Sequence, residues 1–275
     1  MYKRILTIQD ISCVGQCSLT VALPVLSVCG VEACALPSAV LSTHSGGFHG
    51  YTFRDLTEDI PAIWRHWQRE GISFDGIYTG YLGSTRQMEL ISELFQNVLA
   101  SGGKRIIDPA MADNGKLYAG FDGAYVAAMG EFCRQGDLLL PNLTEACLLT
   151  GTPFRPDPEV EEVRRLLEKL HDLCSGDVML TGVGLRPGET GFALWEAGEI
   201  RFYSHPRIPG GYHGTGDLFA SALVGAWMGG RPLYDAGGIA ADFVAECVAQ
   251  TRREPAHRYG VRFEAALPKL MERLK

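Results

Sequence analysis

With 275 residues, 46% hydrophobic and 21% charged, the chain has the balance of a soluble globular enzyme, long enough for one large α/β domain or two small ones. A formal net charge of −7 without a Lys/Arg cluster argues against nucleic acid or an anionic membrane as partner. The eight cysteines are scattered with no C-x-x-C pair, which argues against a disulfide framework or a zinc site and for free thiols in a reducing cytoplasm.

Met1-Tyr2-Lys3-Arg4 is briefly basic, but only four uncharged residues follow before Gln9 and Asp10, too few for a signal peptide. Arg4 to Ile8 reads as a short buried strand, Gln9 to Gly15 as a polar turn, and the following stretch as a helix to about Gly30. Pro24 bends that helix or lies near its buried side. The apolar run Val21 to Val31 carries this proline and stops at Glu32, short of the roughly 20 residues of a membrane span.

A second strand over Ala33 to Leu36 leads into the loop Ser42-Thr43-His44-Ser45-Gly46-Gly47. In the helix expected from Thr57 to Glu70, Ile60, Ile63, Trp64 and Trp67 form one apolar stripe. Strands are then expected at 76–79, 105–107, 137–140 and 178–180, with helices at 84–100, from 142 and at 159–174. Residues 191–195 and 200–204 alternate around Ala197-Gly198 as a hairpin, and three more helices start near 216, 235 and 263.

Alternating strands and helices predict an α/β fold with a largely parallel central sheet and helices on both faces. No linker, repeat or low-complexity segment interrupts residues 1–275, so a single domain is expected. Polar and glycine residues follow the strands at Gln9 to Ser12, Ser42 to Gly47, Gly80-Tyr81, Asp108-Pro109 and Thr181-Gly182. In open parallel sheets ligands bind beyond the carboxyl ends of the strands, so these segments should share one rim. The 33 glycines, well above the usual ~7%, gather at several of these turns, where backbone can approach a ligand closely.

Gly214-Thr215-Gly216-Asp217 opens the apolar run Leu218 to Trp227. A glycine-rich helix start leaves several N–H groups unpaired and aimed one way, an anion site suited to phosphate. Asp217 sits in the same first turn, placed to take a proton from a hydroxyl approaching that phosphate. It competes with a plain dipole role for the carboxylate, worth about 0.3–1 kcal/mol. Likewise Asn142 and Glu145 spell a capping box as readily as a metal site.

Taken in order, Ile8-Gln9, Ser42-x-His44-Ser45, Gly80-Tyr81-Leu82-Gly83-Ser84, Asp108-Pro109-Ala110-Met111, Pro141-Asn142-x-x-Glu145-x-x-x-Leu149-x-Gly151 and Gly214-Thr215-Gly216-Asp217-Leu218-Phe219 resemble the ribokinase superfamily. Within it, the set is similar to the pyridoxal (vitamin B6) kinases. The resemblance implies a ribokinase-like fold and ATP-dependent phosphorylation of the 5′-hydroxymethyl group of pyridoxal, pyridoxine or pyridoxamine. Mg2+, often K+, and usually a homodimer come with it.

By the same resemblance, Gly214, Thr215 and Gly216 present N–H groups to the γ-phosphate and Asp217 is the base. Glu145 holds Mg2+, often through water, with Asp108 beside it. Asp108, Asp113, Asn142, Thr181 and Gly182 serve the nucleotide, the loop Ala112 to Lys116 being mobile and able to cover the phosphates. Tyr81 packs on the B6 ring and Ser45 meets its polar substituents. His44 orients its loop, and His213 bonds a phosphate or is an ordinary loop histidine.

One position departs from the pattern. Pyridoxal kinases carry Ser after the first-strand Gln; here Asp10 stands there and the nearest serine is Ser12. A carboxylate favours a protonated pyridine nitrogen or a cationic amine, which points toward pyridoxamine or a related ring. An Asp here also occurs in hydroxymethylpyrimidine kinases of thiamine synthesis, although those usually end the cradle in Gly-Thr-Gly-Cys. Ribose-type sugar kinases usually carry Gly-Ala-Gly-Asp and a longer N-terminal lid. A dinucleotide oxidoreductase would need G-x-G-x-x-G after the first strand. A catalytically idle homologue that binds pyridoxal phosphate is disfavoured by retention of Asp217 and Glu145.

Overall fold

The computed structural model describes residues 2–46, 48–254, 257 and 259–275. Met1 of the basic start and Gly47 of the second-strand loop lie outside the described residues. The chain begins β1 (Arg4–Ser12), α1 (Leu19–Val28), β2 (Glu32–Leu41), β3 (Phe53–Asp55), α2 (Ile60–Arg69), β4 (Phe74–Thr79) and α3 (Thr85–Val98). It continues with β5 (Leu99–Ile107), β6 (Ala112–Asp113), β7 (Lys116–Leu117), α4 (Gly123–Cys133), β8 (Leu138–Leu139), α5 (Leu143–Thr150) and α6 (Val160–Cys174). Then come β9 (Asp177–Thr181), β10 (Glu189–Glu196), β11 (Glu199–Pro206), α7 (Thr215–Met228), α8 (Leu233–Thr251), a 3-10 turn at Glu264–Ala266 and α9 (Leu267–Arg273). The α/β class expected from the alternation of elements is present.

Two compact units divide the chain. The first comprises Met1–Gly83, Asn97–Gly103 and Ile208–Lys275, and the second Ser84–Gln96 and Lys104–Arg207.

In the first unit β1 pairs in parallel with both β2 and β4, and the short β3 adds antiparallel to β2. Ile5 to Asp10 are buried without a break, as befits a central parallel strand covered on both faces. Its register with β2 slips by one between Gln9, opposite Pro37, and Ile11, opposite Val40. Pro37 has no N–H for the ladder, and a bulge there lets the pairing run on to Ser12. Thus Gln9 to Ser12, expected in a turn, continue the strand. In α2 the apolar stripe turns Ile60 and Trp64 fully inward. Helix α7 is buried on all sides from Leu218 to Ala226 and packs on α1 and α8.

In the second unit β5, β8 and β9 run parallel, and the antiparallel hairpin β10–β11 is added on β9. Ala197 and Gly198 turn that hairpin with φ of 52° and 83°, as the two-residue loop of alternating segments demands. The loop Ala112 to Lys116 forms the tight hairpin β6–β7, turned by Asn114 and Gly115 at φ of 50° and 76°. Its Gly115 N–H donates to Thr144 Oγ1 at 3.0 Å.

Among the described residues no helix is long and apolar enough to cross a membrane. All eight cysteines are free thiols.

Candidate active site

Within the first unit, parallel pairing brings the carboxyl ends of β1, β2 and β4 to one edge. Asp10 and Ser12 close β1, the 42–46 loop follows β2, and Gly80-Tyr81 follow β4. A side chain at position 80 would collide with the side chain of the fully buried Gln9, whose Nε2 donates back to Thr7 Oγ1 at 2.8 Å.

Helix α7 starts at the same group of residues. Gly214 is its N-cap at φ 84°, and no side chain caps this terminus. A Cβ at Gly214 would drive into the carbonyl oxygen of Gln16, so glycine is required by both conformation and space. The first-turn amides of Gly214, Thr215 and Gly216 precede the earliest N–H that an α-helix pairs internally, here that of Leu218 to the Gly214 carbonyl.

Asp217 does not serve as a helix cap. Its Oδ2 accepts the backbone N–H of Ser18 at 2.9 Å. Ser18 Oγ in turn donates to Asp10 Oδ1 at 2.6 Å, and Ser12 Oγ donates to Asp10 Oδ2 at 3.3 Å. Two carboxylates, two serines and the start of α7 therefore form one connected group. Burial pushes Asp217 up to about 6 against the pull of the Ser18 N–H, and the charge of Asp10 adds to the rise. Burial also raises Asp10, opposed by the hydroxyls of Ser18 and Ser12. The half-buried Tyr81 hydroxyl is pushed up to about 12 by burial and then by the charge of Asp10, which ties the tyrosine to the same group.

The 44 loop lies beside the cradle: the buried His44 ring is 5.2 Å from that of His213, the residue before Gly214. Among the described residues His44 Nε2 has no hydrogen-bond partner. Ser45 is exposed, and no hydrogen bond joins it to Asp10, Tyr81 or Asp217 among the described residues. Ser18 and Cys17 also belong to the group, with no sequence motif to mark them. The Cys17 thiol is pushed up to about 12 by burial and by the charges of Asp217 and Asp10. The serine just before Leu19 carried an N-cap signal, but nothing local to it announced a partner at position 217.

Because a half-buried base near 6 is protonated below that pH and cannot accept a proton, kcat/KM should fall about tenfold per unit below pH 6. A rate profile between pH 5 and 8 (about two units above and one below) checks this; a flat acid limb would remove Asp217 from the proton transfer.

The second unit gathers the other predicted residues. Parallel pairing of β5, β8 and β9 puts Asp108, Pro141-Asn142 and Thr181-Gly182 at one end of these strands. Thr181 N–H donates to the Pro141 carbonyl at 2.9 Å, and Gly182 takes φ 78°. Asn142 and Glu145 make the full capping box of α5. Glu145 is 2% exposed. Its Oε2 accepts Asn142 N–H at 2.8 Å, while Oε1 accepts Met111 N–H at 3.1 Å and Ala112 N–H at 3.4 Å. Burial pushes this carboxyl up to about 8, with the three amides pulling the other way. Asp113 is exposed, and both its oxygens accept from Asn114, at 2.8 and 2.9 Å, sealing the β6–β7 turn.

This donor set bears on Mg2+. Among the described residues no cluster of three or more His, Cys, Asp or Glu is placed to hold a metal. Glu145 has both oxygens engaged by amides, so it could hold Mg2+ only through the ion's own waters, most of which Mg2+ usually keeps. A recess of about 490 Å³ in this unit, lined by Lys104, Arg105, Asp137, Asp177 and Trp195 at the opposite, amino ends of the strands, contains none of the predicted residues.

Comparison with known proteins agrees on the fold and on kinase activity. The chain is 34% identical to pyridoxal kinase from Lactobacillus plantarum, with a TM-score of 0.91 over 99% of this chain and 98% of that one. A Bacteroides thetaiotaomicron protein whose structure was solved with pyridoxal is 35% identical, with a TM-score of 0.92 over 98% and 96%. The hydroxymethylpyrimidine/phosphomethylpyrimidine kinase of Bacillus subtilis is 26% identical over 230 residues, 82% of this chain and 80% of its own. The fold is ribokinase-like, as the motif order implied. The phosphomethylpyrimidine kinase family, Phos_pyr_kin, matches residues 23–261, and the chain is a kinase that belongs to it.

Proposed function

We propose that the chain transfers the γ-phosphoryl group of ATP to the 5′-hydroxymethyl group of pyridoxal, pyridoxine or pyridoxamine, releasing ADP. The observation that carries this reading is Asp217, raised to about 6, in the first turn of α7 beside the uncapped amides of residues 214–216. Phosphoryl transfer asks chiefly for positioning and charge neutralisation. The amides of Gly214, Thr215 and Gly216 take the developing charge on the γ-phosphate oxygens. Asp217 accepts the proton as the substrate oxygen bonds to phosphorus, and the bond to the ADP oxygen breaks. Tyr81 packs on the ring, Ser45 and Ser12 meet its polar substituents, and Asp10 faces its basic nitrogen or amine.

Asp108, Asp113, Asn142, Glu145, Thr181 and Gly182 serve ATP. Glu145 and Asp108 would hold Mg2+ through water, and the ion would supply positive charge at the phosphates. The family match runs through both units, which supports reading residues 1–275 as one catalytic domain. A homodimer in the cytoplasm is carried from the resemblance.

Asp10 should set the vitamer. Asp10→Ser removes a charge-assisted contact, so the efficiency ratio of pyridoxamine to pyridoxal should fall about tenfold. Kinetics on the three vitamers with both proteins check it, and an unchanged ranking would remove Asp10 from ring recognition.

The family description and the Bacillus subtilis relative favour a second reading, hydroxymethylpyrimidine as the alcohol. ADP release measured with pyridoxal, pyridoxine, pyridoxamine and hydroxymethylpyrimidine decides between them. Turnover of a B6 vitamer above that of the pyrimidine is expected. Turnover of the pyrimidine alone would replace the B6 reading, and none with any alcohol would leave an idle homologue.

A further inference from the structure

Ser18 stands where a helix-capping serine belongs and does not cap. It directly precedes α1, where a serine ordinarily accepts a first-turn N–H through its Oγ, yet no side-chain cap bond forms. Its backbone takes φ 50° and ψ −132°, a conformation that Cβ sterics make costly for any residue but glycine. Such strain persists only where the surroundings over-determine it. At Ser18, 7% exposed, the surroundings are two carboxylates. The hydroxyl donates to Asp10 Oδ1 at 2.6 Å and the N–H of the same residue donates to Asp217 Oδ2 at 2.9 Å.

We propose that Ser18 is a positioning residue for phosphoryl transfer: its hydroxyl, anchored on Asp10, holds its peptide in the strained turn that aims the N–H at Asp217. The inference rests on the function proposed above and adds to it that the residue assigned to the ring and the residue assigned to the hydroxyl proton are set by one side chain.

Two substitutions separate this role from a purely structural one. Ser18→Ala keeps the strain and loses the anchor; Ser18→Gly relieves the strain and also loses the anchor. If Ser18 only shaped the backbone, activity would follow stability, and the glycine variant would equal the wild type. The proposal instead expects kcat to fall about tenfold in both variants with KM for ATP within twofold, while their melting temperatures diverge, alanine below the wild type and glycine at or above it.

Steady-state kinetics with the best of the four alcohols, beside thermal unfolding of the same three proteins, supply the test. A glycine variant within twofold of wild-type kcat, or losses confined to KM, overturns the role of Ser18 and leaves the kinase reading intact. A wild type inactive on every alcohol overturns both.

Discussion

Asp217→Asn should lower kcat at least about a hundredfold, equivalent to about 2.7 kcal/mol of lost transition-state stabilisation, with KM for ATP within about twofold. The amide keeps the size of the carboxylate and an oxygen that can accept the Ser18 N–H, so the 2.9 Å contact to that backbone can survive. It cannot take a proton from the substrate hydroxyl. The loss should therefore fall on kcat and leave unfolding unchanged or slightly improved, since a half-buried group raised to about 6 is being replaced by a neutral one. Near-normal turnover would return Asp217 to a structural role.

The largest stability effect is expected at Glu145. Glu145→Ala strands the N–H groups of Asn142, Met111 and Ala112, now held at 2.8, 3.1 and 3.4 Å. An unsatisfied buried donor costs about 1–3 kcal/mol. The third contact is long, so a total near 3 kcal/mol is expected, or a fall in melting temperature of roughly 6–12 °C for a chain of this size. Glu145→Gln keeps the shape and one acceptor oxygen but turns an amide NH2 toward a donor, and should cost about half as much.

The glutamine variant also separates the two roles available to this side chain. If the carboxylate also holds Mg2+ through water, the Mg2+ concentration for half-maximal rate should rise several-fold in Glu145→Gln. A variant that is less stable but has an unchanged Mg2+ dependence would leave Glu145 as a capping residue alone. Thermal unfolding with a Mg2+ titration of the rate makes both readings measurable on one protein.

Gly214 to Asp217 were legible because their signal is local: a glycine-rich start, a first-turn carboxylate and an apolar run fix where α7 begins. The capping box at Asn142 and Glu145 was legible for the same reason, since its partners are three residues apart. The end of β1 was not. Gln9, Asp10 and Ser12 are polar and read as a turn, yet parallel pairing across the Pro37 bulge carries Gln9 to Ser12 on as strand, and this places Asp10 and Ser12 on the rim. The β6–β7 hairpin had its Asn114-Gly115 signature, but two-residue strands leave no periodicity to find. Helix α4 leaves little signal in the sequence because Gly123 and Gly130 dilute its pattern. Ser18 illustrates the limit best, since its cap signal is local while both of its partners are decided by how β1, α1 and α7 meet.

The most direct measurement is product analysis after incubation of the purified chain with ATP, Mg2+ and each B6 vitamer, with wild type and Asp217→Asn compared. The account predicts ADP and the 5′-phosphorylated vitamer in equal amounts from the wild type, and at least about a hundredfold less of both from the variant. Equal product from the two proteins, or ADP formed without a phosphorylated vitamer, would contradict it.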